Sequence, residues 1–367
     1  METSNLGVVD ADTHVSESQA MWEYFDEHMH SRRPILVSAP EDTVYKHRNA
    51  FWLIDGNIFP KSAGKGGVRL ITPSAQKFQT ERKDINIGVR ELTDIGKRLK
   101  EMDKLKVEIQ VIYPTLFLVY LTDDIKLEIA LCKAYNSFMG QACSKSGGRL
   151  KWVAIPPLKS IEESLREIER AKGLGAVGLF FRGIEGERTL DNPYFFPIYE
   201  SASRLDLPIC IHTGAGCPSF SRIFDLERNS SFAHVRMLPL IAFRDLVANG
   251  IPDLFPSLRF GIIEAASQWV PHVLHALKRF LQQQGRDSLG SDLFAEKRLF
   301  VACEADEDIP YVLKYIGEDN LIIGSDYGHN DPSAEPQLVA TMRSREDLSS
   351  KLVDKILVEN PRRFYGI

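Results

Sequence analysis

Cysteine pairs are missing from this sequence. Its five cysteines, Cys132, Cys143, Cys210, Cys217 and Cys303, are scattered, and no Cys-x-x-Cys occurs. An odd, dispersed set excludes a disulfide framework, and three of the five sit in or beside apolar runs, as reduced buried thiols of a cytoplasmic chain do. No window approaches the roughly 18 apolar residues of a membrane span. No Lys/Arg block or basic amphipathic stretch marks a nucleic-acid or membrane surface. Met1–Gly7 lacks the basic-then-apolar order of a signal peptide, so none is expected. Gly-x-Gly-x-x-Gly after a strand and Gly-x-x-x-x-Gly-Lys-Ser/Thr are both absent, which speaks against nucleotide cofactors. No Gly-x-Ser-x-Gly elbow offers a serine nucleophile.

What is present is a large core. Hydrophobic residues make up 44% of 367, and the net charge is only -5 with both signs interspersed, so disorder is excluded. The length suits one α/β barrel with insertions. Eight short apolar runs recur: Val8–Asp10, Glu108–Tyr113, Trp152–Ile155, Ala176–Phe181, Pro208–His212, Arg259–Glu264, Leu299–Glu304 and Leu321–Asp326. Continuous rather than alternating apolarity is the mark of a strand buried on both faces. Helical patterns lie between most of them. Ser160–Lys172 carries a capping-box spacing at Ser160 and Glu163, Asn192–Leu205 opens with Asn-Pro, and Pro271–Gln284 opens with Pro. The expectation is a distorted TIM (β/α)₈ barrel, residues 1–367 as one domain; the alternative is an open, doubly wound sheet. Residues 32–91, rich in Pro and Gly, break the rhythm between the first and second strands. That insertion is read as a lid over the barrel mouth, or else as a surface decoration or subunit contact.

The chemistry gathers at strand ends. Asp12 and His14 follow the first run, His212 ends the fifth, Glu264 the sixth and Asp326 the eighth. In a barrel these ends share one mouth, so residues distant in sequence converge there. One polar residue after a strand can simply mark where the strand meets water. Two Asp, two His and a Glu at corresponding positions are instead the side chains that bind divalent metals. Asp12 and His14, two apart on a strand, point to the same side. A mixed N/O set suits Zn, Mn or Fe better than Ca or Mg.

Val9-Asp10-Ala11-Asp12-Thr13-His14, Pro208–His212, Gly324-Ser325-Asp326-Tyr327-Gly328-His329 and the tail Glu359–Gly366 together resemble the amidohydrolase-2 branch of the metal-dependent hydrolases, which includes aminocarboxymuconate-semialdehyde decarboxylase. The resemblance implies metal ligands at Asp12, His14, His212 and Asp326. It implies a hydrolase or non-oxidative decarboxylase acting on a small carboxylate-bearing or aromatic molecule, with Asp326 relaying a proton and His329 or Glu264 assisting. It also implies a homo-oligomer, or a hetero-oligomer with a homologous subunit.

Two departures matter. Asp12 stands where the family more often has histidine, and Glu264 where many relatives have one. With Asp326 they bring three carboxylates to one mouth, which a second ion would relieve. One ion is favoured and two remain open. Two ions would fit the aminoisobutyrate hydroxylase-like oxygenases of the same superfamily; a catalytically silent partner subunit is the third reading. Arg182, after the fourth strand, is a candidate for a substrate carboxylate or a structural ion pair. His234 is expected on a helix over Phe232–Phe243, His272 and His275 on the outer ring, Tyr327 and Trp269 in pocket wall or core, and Glu304 and Asp306 in solvent.

Overall fold

The computed structural model describes residues 7–38, 40, 42, 51–59, 62–63, 67–68, 85–223, 236–286, 289–329 and 333–367. The eight apolar runs become eight strands: β1 (Val8–His14), β2 (Val107–Tyr113), β3 (Leu150–Ala154), β4 (Gly178–Arg182), β5 (Ile209–His212), β6 (Phe260–Ile263), β7 (Leu299–Cys303) and β8 (Leu321–Ile323). They pair in parallel, and their spatial order is their chain order. A doubly wound sheet would reverse direction at a switch point; here there is none.

The barrel closes through the segment after β8. Asp326 N donates to Asp12 O at 3.0 Å, His14 N to Tyr327 O at 2.8 Å, and Ser325 N to Asp10 Oδ1 at 2.8 Å. Gly324 makes this approach possible, because a Cβ there would lie 2.3 Å from that of Asp12. The tail secures the opposite end. Asn360 Nδ2 donates to Leu321 O at 2.7 Å, and Arg362 to Gly7 O at 3.0 Å. Tyr365 reaches inward to Ala11 O, 2.6 Å away.

The expected helices form at Ile161–Gly173, Phe196–Arg204 and Val270–Gln283. Ser160 and Asn192 accept the N-terminal amides of Glu163 and Tyr194 as caps. His272 and His275 are exposed on the outer ring. No helix among the described residues is long and apolar enough to cross a membrane.

The described part of the insertion is a small antiparallel sheet of Ile35–Val37, Phe51–Ile54 and Asn57–Phe59, with a two-residue ladder at Ser62–Ala63 and Gly67–Val68. It is moored at two points. Trp52 packs edge-on against Trp22, centroids 5.9 Å apart. Asp55 receives Arg32 at 2.8 Å and Thr122 at 2.5 Å, in the loop after β2. The end of the proposed lid is described too, as a short helix at Ile87–Arg90, whereas residues 43–50 and 69–84, and His234, lie outside the described residues.

Candidate metal centre

The C-terminal ends of β1, β5, β6 and β8 bring five side chains into two overlapping clusters. His14 Nε2 lies 3.4 Å from Asp12 Oδ1, 3.2 Å from Asp326 Oδ1 and 3.9 Å from Glu264 Oε2. His212 Nε2 lies 3.4 Å from Asp12 Oδ1 and 3.2 Å from Glu264 Oε2. His329 joins them: its Nδ1 faces Asp326 Oδ1 at 2.8 Å, and its ring stacks on His14 with centroids 3.7 Å apart. Two overlapping groups have the donors and spacing that a divalent ion needs, and they share His14 and Glu264: Asp12, His14, His212 and Glu264, and His14, Glu264, Asp326 and His329.

The histidines are oriented from behind. His14 Nδ1 lies 2.9 Å from Pro114 O, and His212 Nδ1 lies 2.8 Å from Thr213 O. A carbonyl only accepts, so both Nδ1 atoms carry hydrogen and, in the neutral rings, both Nε2 lone pairs face the cluster. His14 is held well below its ordinary value by burial, then by His329 and His212, which keeps it neutral. For His212, burial works in the same direction, but the carboxylates of Asp12 and Glu264 outweigh it and the net shift is upward. Asp12 Oδ1, His14 Nε2 and His212 Nε2 are buried without a hydrogen-bond partner among the described residues. Buried polar atoms left so are costly, and a cation among them removes the cost. The donor set therefore fits a divalent ion.

Glu264 and Asp326 adopt left-handed backbone, φ 54° and 51°, as does Ala266 at 61°. Non-glycine residues rarely do so, and such turns concentrate at functional sites. Behind His329, Nε2 lies 2.9 Å from Thr115 Oγ1, while the Thr115 hydroxyl donates to Val15 O at 2.8 Å. Glu17, fully buried, accepts Thr115 N at 2.9 Å and Leu116 N at 2.8 Å, fixing that loop. Burial pushes Glu17 up to about 7. Asp10 accepts both the amide and the hydroxyl of Ser325, and burial raises it to about 6.

Thr115, Glu17 and Asp10 were not singled out from sequence. Thr115 alone carried a signal, since it follows the end of β2 as His212 ends β5.

Arg182 is not part of this gathering. Its nitrogens are engaged by Glu185 at 2.5–3.1 Å and by the carbonyls of Val119 at 2.8 Å and Phe117 at 3.3 Å. The expectation of a fork open to a substrate carboxylate gives way to the structural ion pair, because an acid three residues on already fills it. Tyr327 is buried beneath the Arg98 guanidinium, 4.2 Å from its ring centre. Glu304 is not simply solvated: Arg236 Nη1 pairs with it at 2.7 Å. Asp306 is exposed, as expected.

Comparison with known proteins agrees with the fold. Gamma-resorcylate decarboxylase from Rhizobium radiobacter is 26% identical over 187 residues, covering 48% of this chain and 57% of that protein. The chain thus spans little more than half the length of that relative. An amidohydrolase from Mycobacterium avium subsp. paratuberculosis superposes with a TM-score of 0.78 over 99% of this chain and all (100%) of that one, at 17% identity. The manganese-bound 5-carboxyvanillate decarboxylase of Novosphingobium aromaticivorans superposes at 0.69 over 99% of this chain and 97% of its own, at 20% identity. The family model described as Amidohydrolase matches residues 9–367, and the chain belongs to that family of metal-dependent enzymes.

Proposed function

We propose that this protein is a metal-dependent lyase that removes carbon dioxide from a small aromatic carboxylic acid. The observation that carries the reading is the pair of imidazoles held from behind at Nδ1: His14 turns its Nε2 toward Asp12 and Asp326, and His212 turns its Nε2 toward Asp12 and Glu264. The relatedness to gamma-resorcylate decarboxylase supplies the substrate class.

Asp12, His14, His212 and Asp326 would hold a divalent ion, which would supply positive charge against the anionic charge developing on the substrate. The chain's own residues do the rest. Non-oxidative decarboxylation converts an aryl carboxylate and one proton into the arene and carbon dioxide, so a proton must be held where the carbon–carbon bond breaks. The Asp326–His329 pair, with Oδ1 and Nδ1 2.8 Å apart, is placed to supply it. Thr115 keeps the far ring nitrogen engaged, so the ring stays in the orientation needed for transfer. The insertion at 32–91 is assigned the part of a lid that excludes water, on the strength of its length and its mooring beside the β2 loop.

A second reading, an oxygenase with two ions, draws on the two overlapping donor groups that share His14 and Glu264. The complete donor set speaks against a silent subunit. The experiment is elemental analysis of the purified protein, combined with carbon dioxide release from hydroxybenzoates before and after chelation. Release that needs the ion supports the lyase. Two redox-active ions with oxygen consumption and no release would replace it with the oxygenase.

A further inference from the structure

Beside Glu264, the loops that follow β6 and β7 enclose a cavity of about 340 Å³ at the C-terminal end of the barrel. Ligand sites begin at roughly 300 Å³, so this one admits a single aromatic ring. One wall is apolar: Met237 and Leu240, from the helix Met237–Ala248, face Ala265, Ala266 and Trp269. Trp269 is held in place by its indole Nε1, which donates to Ala266 O at 2.8 Å, and by an edge-on contact with Phe243.

The other wall is acidic. Glu304, Asp306 and Glu307 line it, with Arg236 as the one cation among the described lining residues. Glu307 is committed to the fold, accepting from Ser267 N and Oγ, Gln268 N and Glu304 N at 2.7–2.9 Å. Glu304 and Asp306 remain at the rim, where Arg236 offsets the charge of Glu304 but not that of Asp306. Arg236 also ties this wall to the metal centre: its Nη2 contacts Ser333 Oγ at 2.5 Å, and Ser333 Oγ donates to Glu264 Oε1 at 3.1 Å. The cavity is therefore two hydrogen bonds from a candidate metal ligand.

We infer that this cavity is the ring subsite of the decarboxylase proposed above, and that it selects aromatic acids whose far end carries a hydrogen-bond donor, an amino or hydroxyl group. The ring lies against Trp269 with its carboxyl end toward Glu264 and the metal-binding cluster. The far end meets Glu304 and Asp306, which accept hydrogen bonds from a donor and repel a second carboxylate. The reading of the metal centre supplies the reaction; the cavity supplies the selectivity.

The test uses the manganese-loaded protein and three probes that differ only at the far end of the ring: 4-aminobenzoate, 4-hydroxybenzoate and terephthalate. Tryptophan fluorescence reports binding, with Trp269→Phe as the control that removes the signal from this wall. The amino and hydroxy acids are expected to bind about tenfold more tightly than terephthalate, the like-charge contact accounting for the difference. Glu304→Gln combined with Asp306→Asn is expected to erase most of that gap while leaving the metal content unchanged. Equal affinity for all three probes, a gap that survives the double substitution, or no binding would overturn the subsite. Carbon dioxide release is followed in the same solutions. Release without selectivity sinks the subsite and leaves the lyase standing, whereas selective binding without release from any acid does the reverse.

Discussion

His329 lies face to face with His14 at a centroid distance of 3.7 Å while its Nδ1 points at Asp326 Oδ1, 2.8 Å away. One imidazole thus touches two candidate ligands without standing between them. If its work is proton transfer, His329→Gln should lower turnover by about 10²- to 10⁴-fold and leave one ion bound. Steady-state rates measured beside metal content decide this. Loss of the ion together with rate would make His329 a ligand instead.

Thr115 is the hinge of that arrangement. With its hydroxyl donated to Val15 O, its oxygen is left to accept from His329 Nε2–H. Thr115→Val keeps the shape and removes the acceptor. Residues that orient catalytic imidazoles from behind contribute about 10- to 100-fold, and a loss of that size is expected here. The pH profile separates a positioning role from simple loosening: the limb assigned to His329 should move, while a merely structural defect would scale the whole profile.

Much of this was legible in the sequence. Asp12, His14, His212, Glu264 and Asp326 each follow an apolar run, and the barrel's topology alone brings such ends together. What hid the rest was distance of a kind no periodicity records. Thr115 meets His329 across 214 positions of chain, through two loops whose course depends on closure between β1 and β8. Arg182 stayed open between two readings for the opposite reason. Its partner Glu185 stood three residues away, but whether a strand-end fork turns back on its own loop depends on the short ladder Ile184–Glu185 with Arg188–Thr189. β1 also runs to His14 although Asp10, Asp12 and Thr13 are polar, because each has an inward partner or the metal cluster to face.

Glu17 makes the stability of the fold depend on pH. Its folded value is about 7 against an ordinary 4.5, raised by burial, with the amides of Leu116 and Thr115 and the nearby His329 opposing the shift. A carboxyl raised in the folded state binds more protons there than in the unfolded chain. Its contribution is therefore fully present below about 4.5 and is lost as pH rises through about 7, a change on the order of 3 kcal/mol. Urea midpoints followed from pH 5 to pH 8 should fall more steeply for the wild type than for Glu17→Gln. The substitution itself should lower stability at every pH, because an amide group would meet one of the two backbone donors. Parallel curves would show that Glu17 does not titrate in this window.

Chelation should lower Tm by a few degrees, since an ion at about 100 times its Kd stabilises a fold by about 2.7 kcal/mol. His212→Ala, which removes one of the two outward Nε2 donors, should unfold at the Tm of the chelated wild type and be indifferent to chelator. Strand-end residues at this face serve function more than stability. A variant that still responded to chelator as the wild type does would place the ion elsewhere.

Glu264 decides how many ions the site holds. It sits on left-handed backbone with Oε2 3.2 Å from His212 Nε2 and 3.9 Å from His14 Nε2, and Oε1 accepting from Ser333. It belongs to both overlapping donor groups, so it is the residue that could bridge two ions. Three carboxylates against one divalent ion leave the centre negative, which would repel an anionic substrate; His212, pushed upward by Asp12 and Glu264, offsets part of that charge only while it is protonated and hence not a ligand. We expect one ion per chain in the wild type, retained in Glu264→Gln with a reduced rate, because the amide keeps the size and the Ser333 contact but not the charge. Elemental analysis of both proteins measures this directly. Close to two ions in the wild type, falling to one in the variant, would overturn the single-ion lyase and turn the assignment toward oxygen chemistry.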